Sequence, residues 1–431
     1  MKSAYHHYSV DHIALFIMLV LSSATSLRCA SRVIETVVIF FNFSVECPSW
    51  FAGRLWLLRL GLYKLTRPKK KADDWIWIVD HTIQIGPEKC LVILGIRLSE
   101  LPCPNRCLSH EDVEPIALLP VKKSNGEVVY QQLKETAEKT GVPREIVSDK
   151  GTDLSAGIKR YCNDHHKTCA VYDIKHKGAN LLEAQLSDDY LWREFTRLSA
   201  ESKRALQQTD LAHLCPPNQK TKSRYMNVDT LVTWGRKVLK FYDTFNGDGC
   251  IKKQRFDKEL GWISNFRKEL KEWEELIKVL TIIESFIKKE GMYLDCHKEL
   301  EKQFESESLC DRAKEFKEEL LDFIKGEESK ARPGERLLGS SEVIESVFGK
   351  LKRVEQSQGK SGFTGLLLSV AAMVSTTTRD VVQKAMETVP SKKVLDWCKE
   401  NIGKSLQAKR KEAFSADDQK EQKWDQKREA L

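Results

Sequence analysis

The sequence predicts an α/β core that is interrupted by an all-helical insertion and preceded by a helical N-terminal domain. Residues 72–178 alternate strand-like apolar runs with amphipathic helical segments, whereas residues 179–334 repeat apolar residues at steps of three and four. We therefore predict five segments: a helical domain over 1–71, the first part of the core over 72–178, the insertion over 179–334, the final core helices over 335–385 and a charged tail over 386–431.

The N-terminal segment is both apolar and basic. Its 71 residues contain ten Lys and Arg but only three Asp and Glu, so it holds most of the formal net charge of +8. Turn signals near residues 22–26 and 47–48 divide it into helices, and Pro48 suits the first turn of the last one. Positive charge concentrated in one segment favours a polyanion such as DNA as partner.

The last N-terminal helix carries Arg54, Arg59 and Lys64 and is followed by a basic run at residues 67–71. A helix-turn-helix would place these three side chains in the major groove of DNA. We therefore predict a DNA-binding domain over residues 1–71. The alternative is a helical cap that packs on the following domain.

From Asp74 the apolar pattern changes to the two-residue period of strands. The predicted order is three strands, a helix, a strand, a helix and a strand, with a hairpin at 86–89 between the first two strands. This mixed order resembles that of a ribonuclease H-like core. The expected bounds are 75–85, 90–98 and 115–121 for the first strands, then 127–140 (helix), 145–148 (strand), 152–162 (helix) and 169–174 (strand).

The insertion carries a stripe of large apolar residues at helical spacing. Such a stripe is most often the packed core of a helical domain or a coiled-coil seam. We predict that it is core. Its members are Trp262, Phe266, Leu270, Trp273, Ile277 and Leu280.

Composition places the protein among globular, intracellular chains. Apolar residues make up 41% of the sequence, enough to bury substantial cores. The twelve cysteines follow no paired framework, which favours reduced thiols in the cytoplasm. The apolar run 13–21 is too short to span a bilayer, and Asp11 and His12 directly precede it where a signal peptide has positive charge, so we predict a buried helix and no membrane association.

Some cysteines and histidines have the residue types of zinc ligands. They fall in short loops without a second pair at a familiar spacing, which disfavours zinc. The two sets are Cys103, Cys107 and His110, and Cys162, His165, His166 and Cys169.

Two aspartates follow the strand pattern in a way that indicates metal chemistry. Asp80 lies within the first apolar strand, where a carboxylate is costly unless it is paired or binds a metal ion. Asp149 follows the fourth strand, and Gly151 permits a tight turn into the next helix. The first and fourth strands are neighbours in a ribonuclease H-like sheet, so both carboxylates would project from one end of it and share divalent cations.

A third acid is expected from a late helix over 341–356, where Glu342 and Glu345 are both candidates by spacing. With Asp80 and Asp149, a glutamate on this helix resembles the catalytic triplet of DDE transposases and retroviral integrases. That family often has a Phe or Arg three residues after the glutamate and a Lys seven residues after it. Glu345 matches through Phe348 and Lys352, so we prefer it to Glu342.

A second part of the resemblance lies at Asp173 and His176, which are similar to the Cys-or-Asp, two residues, His motif that several transposase superfamilies carry after the fifth strand. Its position before a long helical insertion resembles the hAT-like arrangement. The segment from Pro48 to Leu65 is also similar to bacterial insertion-sequence transposases.

The resemblance implies a DNA transposase that cuts DNA and joins the freed 3′ end to a target. Asp80, Asp149 and Glu345 would hold two Mg²⁺ or Mn²⁺ ions, Lys352 would contact DNA, and Asp173 and His176 would support the site. It further implies a homo-oligomer on transposon-end and target DNA, in the bacterial cytoplasm near the nucleoid. The alternatives are a nuclease or resolvase that does not join strands, and an inactive DNA-binding regulator.

Overall fold

The structure, a computed structural model, describes residues 7–23, 25–83, 87–102, 105–219, 224–245, 253–356 and 362–415. Residue 86 of the predicted hairpin, Cys103 and the end of the charged tail lie outside these described residues. The chain forms two compact units. The sheet unit comprises Met1–Cys103, Cys107–Ala170 and Ser341–Leu431, and the helical unit comprises Pro104–Arg106 and Val171–Ser340.

Three helices open the sheet unit: α1 (Val10–Leu21), α2 (Leu27–Phe40) and α3 (Trp50–Thr66). Each begins after a serine whose side chain accepts a hydrogen bond from a backbone N–H three residues on, which stabilises the first turn. The apolar run 13–21 lies within α1, which contacts α2 and α3 and buries one face. Along the described parts of the chain, no helix combines the length and apolar character needed to cross a membrane.

The elements of the α/β segment occur in the predicted order. They are β1 (Trp75–Ile83), β2 (Lys89–Arg97), β3 (Glu114–Val121), α4 (Gly126–Thr140), β4 (Glu145–Ser148), α5 (Thr152–Asp164) and β5 (Cys169–Tyr172). The five strands form one mixed sheet in the order β3-β2-β1-β4-β5. β1 is antiparallel to β2 and parallel to β4. The segment that contains α4 therefore carries the chain from the edge strand β3 to β4, on the other side of β1.

Alternate residues of β1 face opposite sides of the sheet. Trp77 and Val79 pack with Ile146 of β4 and with apolar residues of α4 and α5 in one buried core. The intervening residues of β1, Ile78 and Asp80, therefore face the other side of the sheet. Two helices thus cover one face, and the opposite face carries the aspartate.

The helical unit contains seven α-helices within its described residues. They are α6 (Ile174–Leu186), α7 (Tyr190–Leu206), α8 (Val228–Thr244), α9 (Lys253–Leu260), α10 (Arg267–Glu290), α11 (Cys296–Gln303) and α12 (Asp311–Glu328). The predicted stripe supplies buried core residues, among them Phe266, Leu270 and Trp273. Trp273 also meets Trp192 edge to face with ring centroids 4.9 Å apart. The unit extends a few residues beyond both predicted ends of the insertion.

The chain returns to the sheet unit with α13 (Glu342–Glu355), α14 (Ser369–Ala372), α15 (Arg379–Thr388) and α16 (Ser391–Asn401). α13 contacts β1, while α14, α15 and α16 all contact α3. α3 also contacts α1, α2 and β3, and it is buried on nearly every face between Trp56 and Leu65. These contacts fit the alternative of a helical cap better than an exposed helix-turn-helix.

Candidate active site on the central strands

The structure places Asp80 near the end of β1, on the face opposite α4 and α5. Its side chain is half-buried, and the backbone N–H of His81 donates a 2.6 Å hydrogen bond to its Oδ1. The following residue, His81, points to the other face because side chains alternate along a strand. Asp80 is therefore an acidic group directly after the five buried apolar residues 75–79 of β1.

Asp149 follows β4 directly and is also half-buried. The backbone N–H of Gly151 donates a 3.1 Å hydrogen bond to its Oδ1, which orients the carboxylate at the turn into α5. In the parallel pairing of β1 with β4, Ile78 lies beside Val147 and Val79 beside Ser148. Asp80 and Asp149 are the next residues of the two chain segments after this last pair, and neighbouring strands are about 4.8 Å apart. The two acids thus follow the same end of the parallel strand pair β1 and β4.

Glu345 belongs to the first turn of α13, the helix that contacts β1. The buried face of α13 includes Ile344 and Phe348, and Glu345 is half-buried at the margin of that face, whereas Glu342 is exposed. Lys352 is exposed on the same side of the helix as Glu345, two turns or about 10 Å further on. Burial therefore supports Glu345 over Glu342 as the acid that faces the sheet.

The three acids lie on three different elements and do not form one tight cluster. Within the described part of the chain, their carboxylate oxygens do not all lie within 4.8 Å of one another. Two ions held about 3.5 to 4 Å apart need a wider set of ligands than a single ion does. The donor set consists of carboxylate oxygens, which suits Mg²⁺ or Mn²⁺.

A charged network lies on the opposite side of the same strand end. Asp153, in the first turn of α5, accepts a 2.8 Å hydrogen bond from Lys89 of β2, and its Oδ2 is 3.7 Å from Nδ1 of His81. Burial lowers the pKa of His81, and the positive charge of Lys89 lowers it further. The negative charges of Asp153 and Asp149 raise it, but the net pKa stays below the ordinary value. This network ties β1, β2 and α5 together directly behind the acids.

The network predicts an acid-sensitive contribution to stability. Burial raises the pKa of Asp153, but hydrogen bonds from Lys89 and Ser124 and the neighbouring positive charges outweigh it and lower the pKa to about 2. Because the pKa is lower in the folded state, the ionised carboxylate stabilises the fold above pH ~4. This contribution to the free energy of unfolding is lost as the pH falls towards 2. After discounting for the partly exposed Lys89, we expect Asp153→Asn to lose about 1 to 2 kcal/mol at pH 6.

Urea unfolding at pH 6 and pH 3 measures this effect, because the gap between wild type and Asp153→Asn should narrow at the lower pH. Asp380→Asn is the matched control, since Asp380 is exposed in the first turn of α15. A gap that stays constant between the two pH values would contradict a role for the ionised carboxylate.

The cations predicted to contact DNA from α3 are placed inside the sheet unit. Arg59 is buried, and its guanidinium donates hydrogen bonds to the carbonyl oxygens of Met386 and Val389. Lys64 is fully buried, and Arg54 is half-buried, with its pKa lowered by burial. The prediction that Arg59 and Lys64 enter a DNA groove is therefore corrected: both satisfy backbone carbonyls, and the apolar residues on all sides of α3 were the sequence signal for a buried helix.

The basic run after α3 is divided between structural and exposed positions. Arg67 and Lys69 form ion pairs with Glu114, the latter at 2.9 Å, whereas Lys70 and Lys71 are exposed. Charge available to a nucleic acid is therefore smaller in this segment than its composition indicates.

Asp173 and His176 lie in the helical unit, at the start of α6. Asp173 is buried, and its carboxylate accepts a 2.8 Å hydrogen bond from the backbone N–H of His176. This contact caps the N-terminus of α6. A capping side chain bonds the backbone N–H two or three residues on, which accounts for the spacing of Asp173 and His176.

No protein-family model matches the sequence. No curated protein matches it either. Among solved structures, the chain is similar to the Drosophila P element transposase strand transfer complex, with a TM-score of 0.41 and 12% sequence identity over 89% of this chain and 93% of that one. At this identity and score, any assignment of function depends on the positions of the chain's own residues.

Proposed function

We propose that the protein is a DDE transposase with a ribonuclease H-like core, which cleaves DNA and transfers the freed 3′ end to a target strand. The observation that carries the proposal is that Asp80 and Asp149 directly follow Val79 and Ser148, the last paired residues of the parallel strands β1 and β4. The strand order β3-β2-β1-β4-β5, with β1 antiparallel to β2, supports the core assignment. The contact of α13 with β1 supports Glu345 as the third acid.

The residues fit divalent metal ions. Asp80, Asp149 and Glu345 would hold two Mg²⁺ or Mn²⁺ ions, and these ions when bound activate the attacking oxygen and stabilise the leaving oxygen in displacement at phosphorus. The backbone N–H groups of His81 and Gly151 orient the carboxylates of the two aspartates. The network around Asp153 links the ends of β1 and β2 to the start of α5.

The finer assignment extends the same proposal. The helical unit is a hAT-like insertion in the core, and the protein acts as a homo-oligomer on transposon ends in a bacterial cytoplasm, as part of an insertion sequence. Asp173 and His176 support the core through the start of α6. Lys352, exposed on the Glu345 side of α13, contacts the DNA backbone.

A strand-transfer assay tests the proposal. The purified chain is incubated with Mg²⁺ or Mn²⁺, a supercoiled target plasmid and labelled linear DNA taken from either side of its own gene, where terminal repeats would lie. Labelled DNA joined covalently to the plasmid is the expected product. Cleavage without joining would identify a nuclease or resolvase, and binding without cleavage would identify an inactive regulator, so either result overturns strand transfer.

Lys352→Gln is expected to weaken DNA binding by removing one phosphate contact. The slope of log K against log salt should fall by roughly one unit, because each neutralised phosphate releases about one counterion. Fluorescence anisotropy with labelled DNA at several salt concentrations measures the slope. Lys384→Gln on α15 is the control, since that lysine is also exposed in the sheet unit. Equal slopes for the two variants would remove Lys352 from the DNA contact.

A further inference from the structure

A second group of potential metal ligands lies in the helical unit. Asp295, His297 and Glu328 each offer one ligand atom, and these atoms all lie within 4.8 Å of one another. Nδ1 of His297 is 2.5 Å from Oε1 of Glu328. In the part of the chain that the structure describes, no other three His, Cys, Asp or Glu side chains are grouped this closely.

The group joins two separate helices. Asp295 precedes α11, His297 lies in its first turn, and Glu328 is the last residue of α12, so 31 residues separate His297 from Glu328. Glu328 is only 4% exposed. Its proximity to His297 is therefore a property of the packing of α11 against α12.

Hydrogen bonds hold the Glu328 carboxylate in one orientation. The backbone N–H of Asp295 donates to Oε1 at 3.2 Å, and that of His297 donates to Oε2 at 2.9 Å. The thiol of Cys296 donates to Oε2 at 3.1 Å, and Cys296 is itself fully buried. Outer contacts of this kind orient the ligands of metal sites and raise their affinity.

The local charge favours a cation. Two carboxylates within 4.8 Å of each other repel, and one of them is buried where water cannot screen it. Lys298 pairs with Asp295 at 2.8 Å, but both side chains are more than 60% exposed, so the pair contributes little. A divalent ion that displaces the proton between Nδ1 of His297 and Oε1 of Glu328 releases it to solvent and offsets both negative charges at once.

We propose that Asp295, His297 and Glu328 bind one divalent transition-metal ion, with Zn²⁺ as the fitting species. An imidazole nitrogen with two carboxylate oxygens is a donor set that zinc accepts, whereas the triplet proposed on the sheet has oxygen donors only. Cys296 supports the site by its hydrogen bond to Glu328. The ion fastens the turn before α11 to the end of α12, and this site is independent of the proposed transposase chemistry.

Cobalt binding to the full chain tests the site, because Co²⁺ substitutes for Zn²⁺ and absorbs visible light. The titration is done in excess Mg²⁺, which occupies oxygen-only sites, and Zn²⁺ is then added as competitor. Asp295→Asn and His297→Gln are the test variants; Asn also tolerates the positive φ of 66° at position 295. His213→Gln is the matched control, an exposed histidine of the same unit.

We expect the wild type and His213→Gln to bind one Co²⁺ per chain that Zn²⁺ displaces, and the two test variants to bind it at least about 10-fold more weakly. Zn²⁺ should also raise the melting temperature of the wild type and the control, but not of the two variants. A wild type without this absorption, or test variants that bind Co²⁺ as tightly as the control, would overturn the site and leave a hydrogen-bonded helix start. Asp295→Asn changes an exposed side chain and is expected to fold, so its titration decides the matter even if His297→Gln does not fold.

Discussion

Replacing any one of Asp80, Asp149 or Glu345 by its uncharged analogue is expected to reduce DNA cleavage by at least about 100-fold, the usual cost of losing one group that stabilises the charge of the transition state. The variants are Asp80→Asn, Asp149→Asn and Glu345→Gln. Each keeps the size of the side chain, and each residue is only half-buried, so the fold should change little. Initial cleavage rates with Mg²⁺ measure the loss, and thermal melting checks the fold.

Glu342→Gln is the matched control for the third acid. Glu342 lies one turn before Glu345 on the same helix but is exposed, so its variant should cleave DNA like the wild type. If Glu342→Gln were inactive and Glu345→Gln active, the third acid would be reassigned to Glu342. If all three triplet variants cleaved normally, the proposed site itself would be wrong.

Lys64→Met is expected to lower the free energy of unfolding of the sheet unit by about 3 kcal/mol or more. Nζ of Lys64 lies within hydrogen-bonding distance of four oxygens, which share its three N–H donors: the carbonyl oxygens of Ala372, Val374 and Ser375 at 3.2, 2.7 and 2.8 Å, and Oγ1 of Thr377 at 2.7 Å. Methionine fills similar space but leaves these oxygens unpaired, and each unsatisfied buried group costs about 1 to 3 kcal/mol.

Urea unfolding followed by tryptophan fluorescence measures the loss. Lys70→Met is the control, because Lys70 lies just after the same helix and is exposed; its effect should stay within about 0.5 kcal/mol. An equally small effect of Lys64→Met would contradict its role as the link between α3 and the segment after α14. The same two variants distinguish a structural role of Lys64 from a role in DNA binding. If Lys64→Met lost DNA affinity while its free energy of unfolding was unchanged, the predicted contact of Lys64 with a DNA groove would be supported.

The order of strands and helices in the sheet unit was predictable because it depends on local patterns. Strands β1 and β4 are short apolar runs that end at turn residues. Such runs are recognised from residues that are neighbours in the sequence. Asp80 and Asp149 were identifiable for the same reason: an acid within or directly after an apolar strand conflicts with its surroundings. The expectation that they lie close together required one further assumption, that β1 and β4 are neighbours, and the structure has the strand order β3-β2-β1-β4-β5.

The roles of the charged residues on α3 were decided by tertiary structure. Composition cannot distinguish a cation that meets phosphate from one that meets buried carbonyls, and Lys64 finds its partners more than 300 residues away. The grouping of His297 with Glu328 also depends on helix packing, since neither residue belongs to a short metal-binding motif.

By itself, the sequence determined the local elements and the acidic residues that interrupt them. Only the fold decided which charges are buried, which are exposed and which meet, because those outcomes depend on contacts between segments that are distant in the chain.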